Sequence, residues 1–271
     1  MDTLSAILVL GGLGVTLGLL LAFAARLFKA EADPRAGDIT DLLPGINCGG
    51  CGYETCQAFA KELNAGQADA AGCPVGGQEL AEKLSALLGV EMKEGLRLAV
   101  LVRCSGGVRA RDKFQYEGIG DCHAAMRIGG GPKECPYGCV GLGSCVHACP
   151  FGAISVVDGV AVVDPERCTG CRLCVSSCPK HIIVPVPYHA DVHIACSSLE
   201  KGGTLRKICD IGCLGCRICE KVCISGAVRV EDNCASIDFE KCSGCGDCAE
   251  KCPRKLIVDA KLDRGPRLME G

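Results

Sequence analysis

The apolar positions of this chain fall into one long uninterrupted block followed by many short ones. From Leu4 to Ala25 there are 22 residues without a charge, and 12 of them are Leu, Ile, Val or Phe. A helix of that length crosses a hydrocarbon core of about 30 Å. Its large apolar side chains favour insertion by on the order of 5 kcal/mol before Gly and polar positions are counted. Residues 1–29 are therefore predicted to form a single transmembrane anchor. Ala22-Phe23-Ala24 resembles a signal-peptide cleavage site, but the chain starts with Asp2 and no Lys or Arg, and the block is too long for a signal sequence. Arg26, Lys29 and Arg35 follow the block, which places its C-terminal side in the cytoplasm.

Beyond the anchor the pattern breaks into short elements. Residues 30–45, with Pro34, Gly37 and Pro44, read as a linker. Glu54 to Leu63 has helical composition, and Gln78 to Leu88 carries Leu80, Leu84, Leu87 and Leu88 at helical spacing. Leu98 to Arg103 is a strand-like run ending at Cys104, and Asp191 to Ala195 repeats that arrangement, ending at Cys196. Two strands that each deliver a cysteine at the same end are expected to be neighbours in one sheet. AISVV-DG-VAVVD predicts a hairpin whose Asp158-Gly159 suits a type I′ turn. AVRV-EDN-CASID predicts a second hairpin with a longer turn, and residues 261–271 a mobile polar tail. The fold class is α+β, with a small helical domain at 46–90 and two modules at 95–190 and 191–260.

Composition changes this picture in one respect. Twenty-five cysteines stand against 4% aromatics and no Trp, so no single large apolar core is expected, and small modules with weak cores need metal to fold. The formal net charge of -3 gives no support to a nucleic-acid partner. No nucleotide-binding glycine motif follows a strand, and His123, His147, His181, His189 and His193 form no ligand-like spacing.

The cysteines themselves carry the chemistry. Three runs read C-x2-C-x2-C-x3-C, at Cys168/Cys171/Cys174/Cys178, Cys213/Cys216/Cys219/Cys223 and Cys242/Cys245/Cys248/Cys252. Two-residue loops let three thiolates wrap one iron-sulfur cubane, and the fourth cysteine points to a neighbouring cluster. Zinc favours separated CxxC pairs, and disulfides belong to oxidising compartments. Cys149 to Cys168 and Cys223 to Cys242 are both 19 positions apart, so the runs pair into two modules of the bacterial two-cluster type.

The first run is irregular, because Leu142 stands at the second ligand position between Cys139 and Cys145. Cys135 is inferred to replace it, giving one cluster on Cys135, Cys139, Cys145 and Cys178 and its partner on Cys168, Cys171, Cys174 and Cys149. The second module is expected to use Cys213, Cys216, Cys219 and Cys252, and Cys242, Cys245, Cys248 and Cys223. Near the N-terminus, Cys48, Cys51, Cys56 and Cys73 form a metal site open to either zinc or iron, with Cys56 in the first turn of a helix. Of the remaining five, Cys104, Cys122, Cys196 and Cys209 are candidates for a sixth cluster, the alternative being free core thiols. Cys234 fills an apolar hairpin position as a buried thiol. Lys201, Arg206, Lys207, Arg217, Lys221, Lys251, Arg254 and Lys255 gather around the last two runs and read as a solvated face or a dock for an acidic electron carrier.

The order of an anchor, GINCGGCGYETC with Cys73, LVRCSGG, YEGIGDC, GGGPKECPYGCVGLGSCVHACPFGAI and two cluster-binding modules resembles the RnfB family, the iron-sulfur component of the Rnf complex, in a long polyferredoxin form. The resemblance implies a [4Fe-4S] cluster on Cys48, Cys51, Cys56 and Cys73, and five or six such clusters in all. It also implies an electron-relay role within an ion-translocating ferredoxin:NAD+ oxidoreductase in the cytoplasmic membrane. Soluble ferredoxin would be the donor, other subunits of the complex and the lipid bilayer the partners, and no side chain a catalytic acid or base. SoxR-reducing, hydrogenase-type or quinone-linked membrane oxidoreductases, and a zinc-bound interaction protein, are the alternatives.

Overall fold

A computed structural model describes residues 3–27, 34–91 and 97–259. Helix α1 (Thr3–Leu27) contains the apolar block. Over Ile7–Ala24 its mean hydropathy is 2.4 and none of it is buried against the rest of the protein, consistent with membrane association.

The expected linker is partly helical. Pro34 opens α2 (Pro34–Leu42), a position where its missing N–H costs nothing. Ile39 and Leu43, four residues apart, are buried against α3 (Cys56–Asn64) and α4 (Gly77–Leu88), around Phe59, Leu63, Leu80 and Leu84. The small domain therefore begins at α2, because the apolar spacing of Ile39 and Leu43 outweighs the linker-like Pro and Gly.

The rest of the described chain is two copies of one plan. In the first, β1 (Leu98–Val102) is followed by α5 (Cys122–Met126), α6 (Ser144–His147), the hairpin β2 (Ile154–Val157) and β3 (Val160–Val163), α7 (Leu173–Ser176) and β4 (Ile183–Pro187). In the second, β5 (Val192–Ile194) leads through α8 (Gly202–Ile208) and α9 (Ile218–Val222) to the hairpin β6 (Val228–Glu231) and β7 (Cys234–Ile237). It then runs through α10 (Asp247–Lys251) to β8 (Ile257–Asp259).

The two cysteine-delivering strands are not neighbours. β1 pairs antiparallel with β4, Val102 opposite Ile183, and β5 pairs antiparallel with β8, Ile194 opposite Ile257. Each module closes on itself, because its first strand meets the apolar strand that follows its own last cysteine. The match extends one residue further: the Arg103 N–H donates to Ile182 and the Ala195 N–H to Leu256, at 2.7 and 3.2 Å.

Both hairpins have two-residue turns. Asp158 and Gly159 have φ of 48° and 74°, as a type I′ turn requires. The second turn is Asp232-Asn233, with φ of 47° and 66°, and Glu231 pairs with Cys234. It is shorter than the sequence suggested, since Asp and Asn tolerate the left-handed region well enough to keep Glu231 in the strand. The tail expected at 261–271 lies outside the described residues.

Candidate iron-sulfur sites

Each cysteine run is a pair of tight turns leading into a short helix. In the regular runs the residue before the second cysteine is Gly170, Gly215 or Gly244, and Gly170 and Gly215 have φ of 70° and 64°. A Cβ at Gly170 would stand 2.7 Å from the Leu98 carbonyl oxygen, so the loop needs glycine for both conformation and clearance. The irregular run keeps the same path, with Gly141 at φ 81° and Gly143 at φ 79° flanking Leu142. The loop geometry survives where the ligand is missing.

All 25 cysteines are free of disulfides. Four hollows of about 330–390 Å³, counted out to open solvent, are each ringed by four of them. One is lined by Cys48, Cys51, Cys56 and Cys73, and another by Cys213, Cys216, Cys219 and Cys252, both as the spacing predicts. Two further groups are marked by mutual influence: Cys174 feels the charges of Cys171 and Cys168, then of Cys145 from the neighbouring set and of Cys149, and Cys248 those of Cys242, Cys223 and Cys245.

The remaining two hollows depart from the sequence grouping. Cys139, Cys145 and Cys178 are joined by Cys122, whereas Cys135 shares its hollow with Cys104, Cys196 and Cys209. Cys122 and Cys135 have exchanged places relative to expectation. The cause is local. Asp121 caps α5 by accepting the Ala124 N–H at 2.8 Å and the Ser144 hydroxyl at 2.8 Å, while the Cys122 N–H donates to Ser144 Oγ at 2.7 Å. Those bonds tie α5 to the start of α6, which carries Cys145, and Leu142 packs beside Cys122, Ala125 and Val140. The Ala124 N–H, then Ser144, holds the Asp121 carboxyl below the usual carboxylate range.

Cys135 belongs to a symmetric set. Cys104 and Cys196 each lie two residues past β1 and β5, and Cys135 and Cys209 each lie four residues before the first cysteine of their runs. Two cysteines from each module therefore converge at the junction between modules. The bridge of Ala110 to Cys209, with Arg111 N–H donating to Ile208 at 2.9 Å, holds the junction together. That repeat of C-x3-C was the signal in the sequence that pairs Cys135 with Cys209.

Burial raises several of the thiols. It pushes Cys139 and Cys145 up to about 11 and Cys174 and Cys219 up to about 12. Such thiols stay protonated without metal, and metal binding must release those protons. Backbone amides already point at several sulfurs: Gly76 to Cys73, Gly106 to Cys104 and Ala153 to Cys149, each at 3.4 Å. Two such bonds run between sets, from Cys139 N–H to Cys104 Sγ and from Cys213 N–H to Cys196 Sγ, both 3.4 Å.

Among the described residues, no three or more His, Cys, Asp or Glu side chains close on a single point that would hold one metal ion. The cysteine sets ring spaces instead. Four soft sulfur donors around an apolar hollow, with amides aimed at the sulfurs, fit the ligand set of a [4Fe-4S] cluster.

The basic residues are only partly a free face. Arg254 donates to the Cys209 carbonyl at 2.7 Å, and its counterpart Lys180 donates to Pro136 and Gly130 at 2.7 and 3.0 Å. Burial pushes the Lys180 ammonium down. Of the histidines, His123 Nε2 meets the Ser177 carbonyl at 3.0 Å, a structural contact.

Paired cysteine runs in two self-closing modules, preceded by a four-cysteine helical domain, define an iron-sulfur protein of the polyferredoxin type. Family models agree, matching an Fe-S cluster domain at 43–75, a 4Fe-4S dicluster domain at 138–182 and a 4Fe-4S binding domain at 235–258. The chain is 42% identical to the B component of the ion-translocating oxidoreductase complex of Methanosarcina acetivorans, over 94% of this chain and 97% of that protein. It is also 42% identical to the B component of the Na(+)-translocating ferredoxin:NAD(+) oxidoreductase complex of Acetobacterium woodii, over 94% and 78% of the two chains. Identity is 40% to the corresponding component of the proton-translocating complex of Clostridium ljungdahlii, over 95% and 93%. The chain belongs to the RnfB family of ion-translocating oxidoreductase complexes.

Proposed function

We propose that this chain is the electron-relay subunit of a membrane-bound, ion-translocating ferredoxin:NAD+ oxidoreductase and that it binds six [4Fe-4S] clusters in a row. Bound clusters of this kind supply one-electron transfer at low potential. The observation that carries the reading is the division of 24 of the 25 cysteines into six sets of four.

Contacts between sets support a linear order. A Cβ at Gly50 would lie 3.3 Å from the Cys171 carbonyl oxygen, so the N-terminal cysteine loop rests on that of Cys168, Cys171, Cys174 and Cys149. α6 carries Cys145 of the next set just ahead of Cys149, the Cys139 amide reaches Cys104 of the junction set, and the Cys213 amide reaches Cys196 from the far side. α9 carries Cys219 just ahead of Cys223, which leads to the last set. The chain's own residues hold the sulfurs, aim amides at them and keep water from the buried ones.

Cys216 and Cys245, both in the second module, are the two exposed cysteines. Their position supports electron exchange with soluble ferredoxin there, beside Arg217 and Lys221. The anchor binds lipid, and Arg26, Lys29 and Arg35 support a cytoplasmic location for the modules. Near-equal similarity to a sodium-translocating and a proton-translocating relative fits a shared relay, with ion choice made in other subunits.

Iron and acid-labile sulfide counts on the full chain, purified without oxygen, test this reading. About 24 of each per chain is the expected result and about 20 would remove the junction cluster. A colourless protein that binds zinc would end the proposal.

A further inference from the structure

Three half-buried cations line three successive hollows of the row. Lys180 lines that of Cys122, Cys139, Cys145 and Cys178, Arg103 that of the junction, and Arg254 that of Cys213, Cys216, Cys219 and Cys252. Backbone carbonyls anchor each of them. Lys180 donates to Pro136 and Gly130 at 2.7 and 3.0 Å, Arg103 to Cys196 at 3.3 Å, and Arg254 to Cys209 at 2.7 Å. Arg103 also approaches the sulfur of Cys234, the cysteine outside the six sets, at 3.9 Å. Among the described residues none of the three is ion-paired.

Other cations nearby do have carboxylate partners. Lys133, whose side chain is 11% exposed, meets Asp112 at 2.9 Å, and Arg217, also on the lining of the Cys213 hollow, meets Glu220 at 3.4 Å. Arg254 is short of a hydrogen bond as well as a counter-charge, since its Nε–H is buried and has no acceptor. Burying a charge or a donor without a partner is costly, and arginine cannot shed its proton. The internal repeat keeps the arrangement: Lys180 and Arg254 each stand two residues past the last cysteine of a run. The hollow of Cys48, Cys51, Cys56 and Cys73 supplies a contrast, with no Lys or Arg on its lining.

We propose that Lys180, Arg103 and Arg254 are positioning residues that serve as counter-ions to the three clusters in the middle of the relay and raise their potentials. The inference rests on the reading of the ringed hollows as cluster sites. A cubane held by four thiolates is an anion, and it becomes more negative by one electron when reduced. A fixed cation beside it stabilises the reduced form more than the oxidised one, so the potential rises. Low dielectric strengthens that effect, and the absence of competing carboxylates leaves the cation's charge undivided. The middle of the row becomes the place where an electron rests between entry and exit.

The test is potentiometric titration followed by electron paramagnetic resonance on the full, iron-loaded chain, compared with Arg254→Gln and Arg254→Lys. Glutamine removes the charge, and lysine is what the first module carries at that place. In R254Q, iron and sulfide should be unchanged while one signal titrates lower. Its reduced-to-oxidised ratio at fixed potential should fall about tenfold, which is about 59 mV for a one-electron couple. R254K should stay close to the unmodified chain, and the signal that Cys73→Ser removes should not move in either variant. Lys180→Gln and Arg103→Gln repeat the measurement at the other two hollows, so a variant that fails to hold iron leaves two others to decide. An unchanged potential at full iron content in the neutral variants would overturn the proposal, as would a shift in R254K as large as that in R254Q. A low iron count in the unmodified chain would instead overturn the cluster reading, and this inference with it.

Discussion

The first and second modules share strand pairing, hairpin and helix order, yet treat their cysteines differently. In the first, Cys145, Cys168, Cys171, Cys174 and Cys178 are all buried, and Cys122 from α5 completes the ring of four cysteines that Leu142 leaves short. In the second, every run is regular, Cys216 and Cys245 are exposed, and a spare thiol sits at the junction. The difference separates two demands on one fold. Sulfurs inside a relay are best shielded, while at least one site must come near the surface for electrons to enter or leave. The second module meets that demand with the local geometry of the first.

The largest expected effect comes from withholding iron. With iron chelated during expression, both modules should lose protease resistance and most of their far-ultraviolet dichroism, since their cores are small and cysteines make up a good part of them. A second module that stayed folded without iron would break the parallel between the two.

Cys122→Ser should remove about four of about 24 irons and abolish one resonance signal from the first module alone. Adding Leu142→Cys to that variant rebuilds the regular run on the retained loop and should restore the iron. Iron content unchanged in C122S would contradict the grouping.

Cys135→Ser should also cost about four irons, but from a different signal, and the double variant should lose about eight. The grouping suggested by spacing predicts instead that Cys135→Ser and Cys139→Ser erase the same signal. The spectra of the three single variants decide between them.

The smallest effect is expected from Ser144→Ala, which removes the acceptor of the Cys122 N–H at 2.7 Å. Loss of that bond is worth about 1 kcal/mol. It should appear as a several-fold faster release of iron to chelator from one first-module site, with the second module unaffected.

Much of the relay was legible along the chain. The uncharged block at 4–25 announced the long apolar helix, C-x2-C-x2-C-x3-C marked the regular cysteine loops, and Asp158-Gly159 named its turn. The second turn was read too long because Glu231 carries no mark that it belongs to the strand. α2 was hidden because Pro34 and Gly37 look like linker residues until Ile39 and Leu43 are seen buried.

Spacing within a run describes a loop, and a loop's geometry is settled by its own few residues and their glycines. The sequence by itself therefore determined the iron-sulfur chemistry, the regular cysteine runs and the two-module plan. Solitary cysteines have no such local rule. That Cys122 meets Cys139 while Cys135 meets Cys209 was decided by the Asp121–Ser144 bonds, by each first strand pairing with its own module's last, and by the bridge at Ala110. These contacts join residues far apart in the chain, and only packing in three dimensions could choose among them.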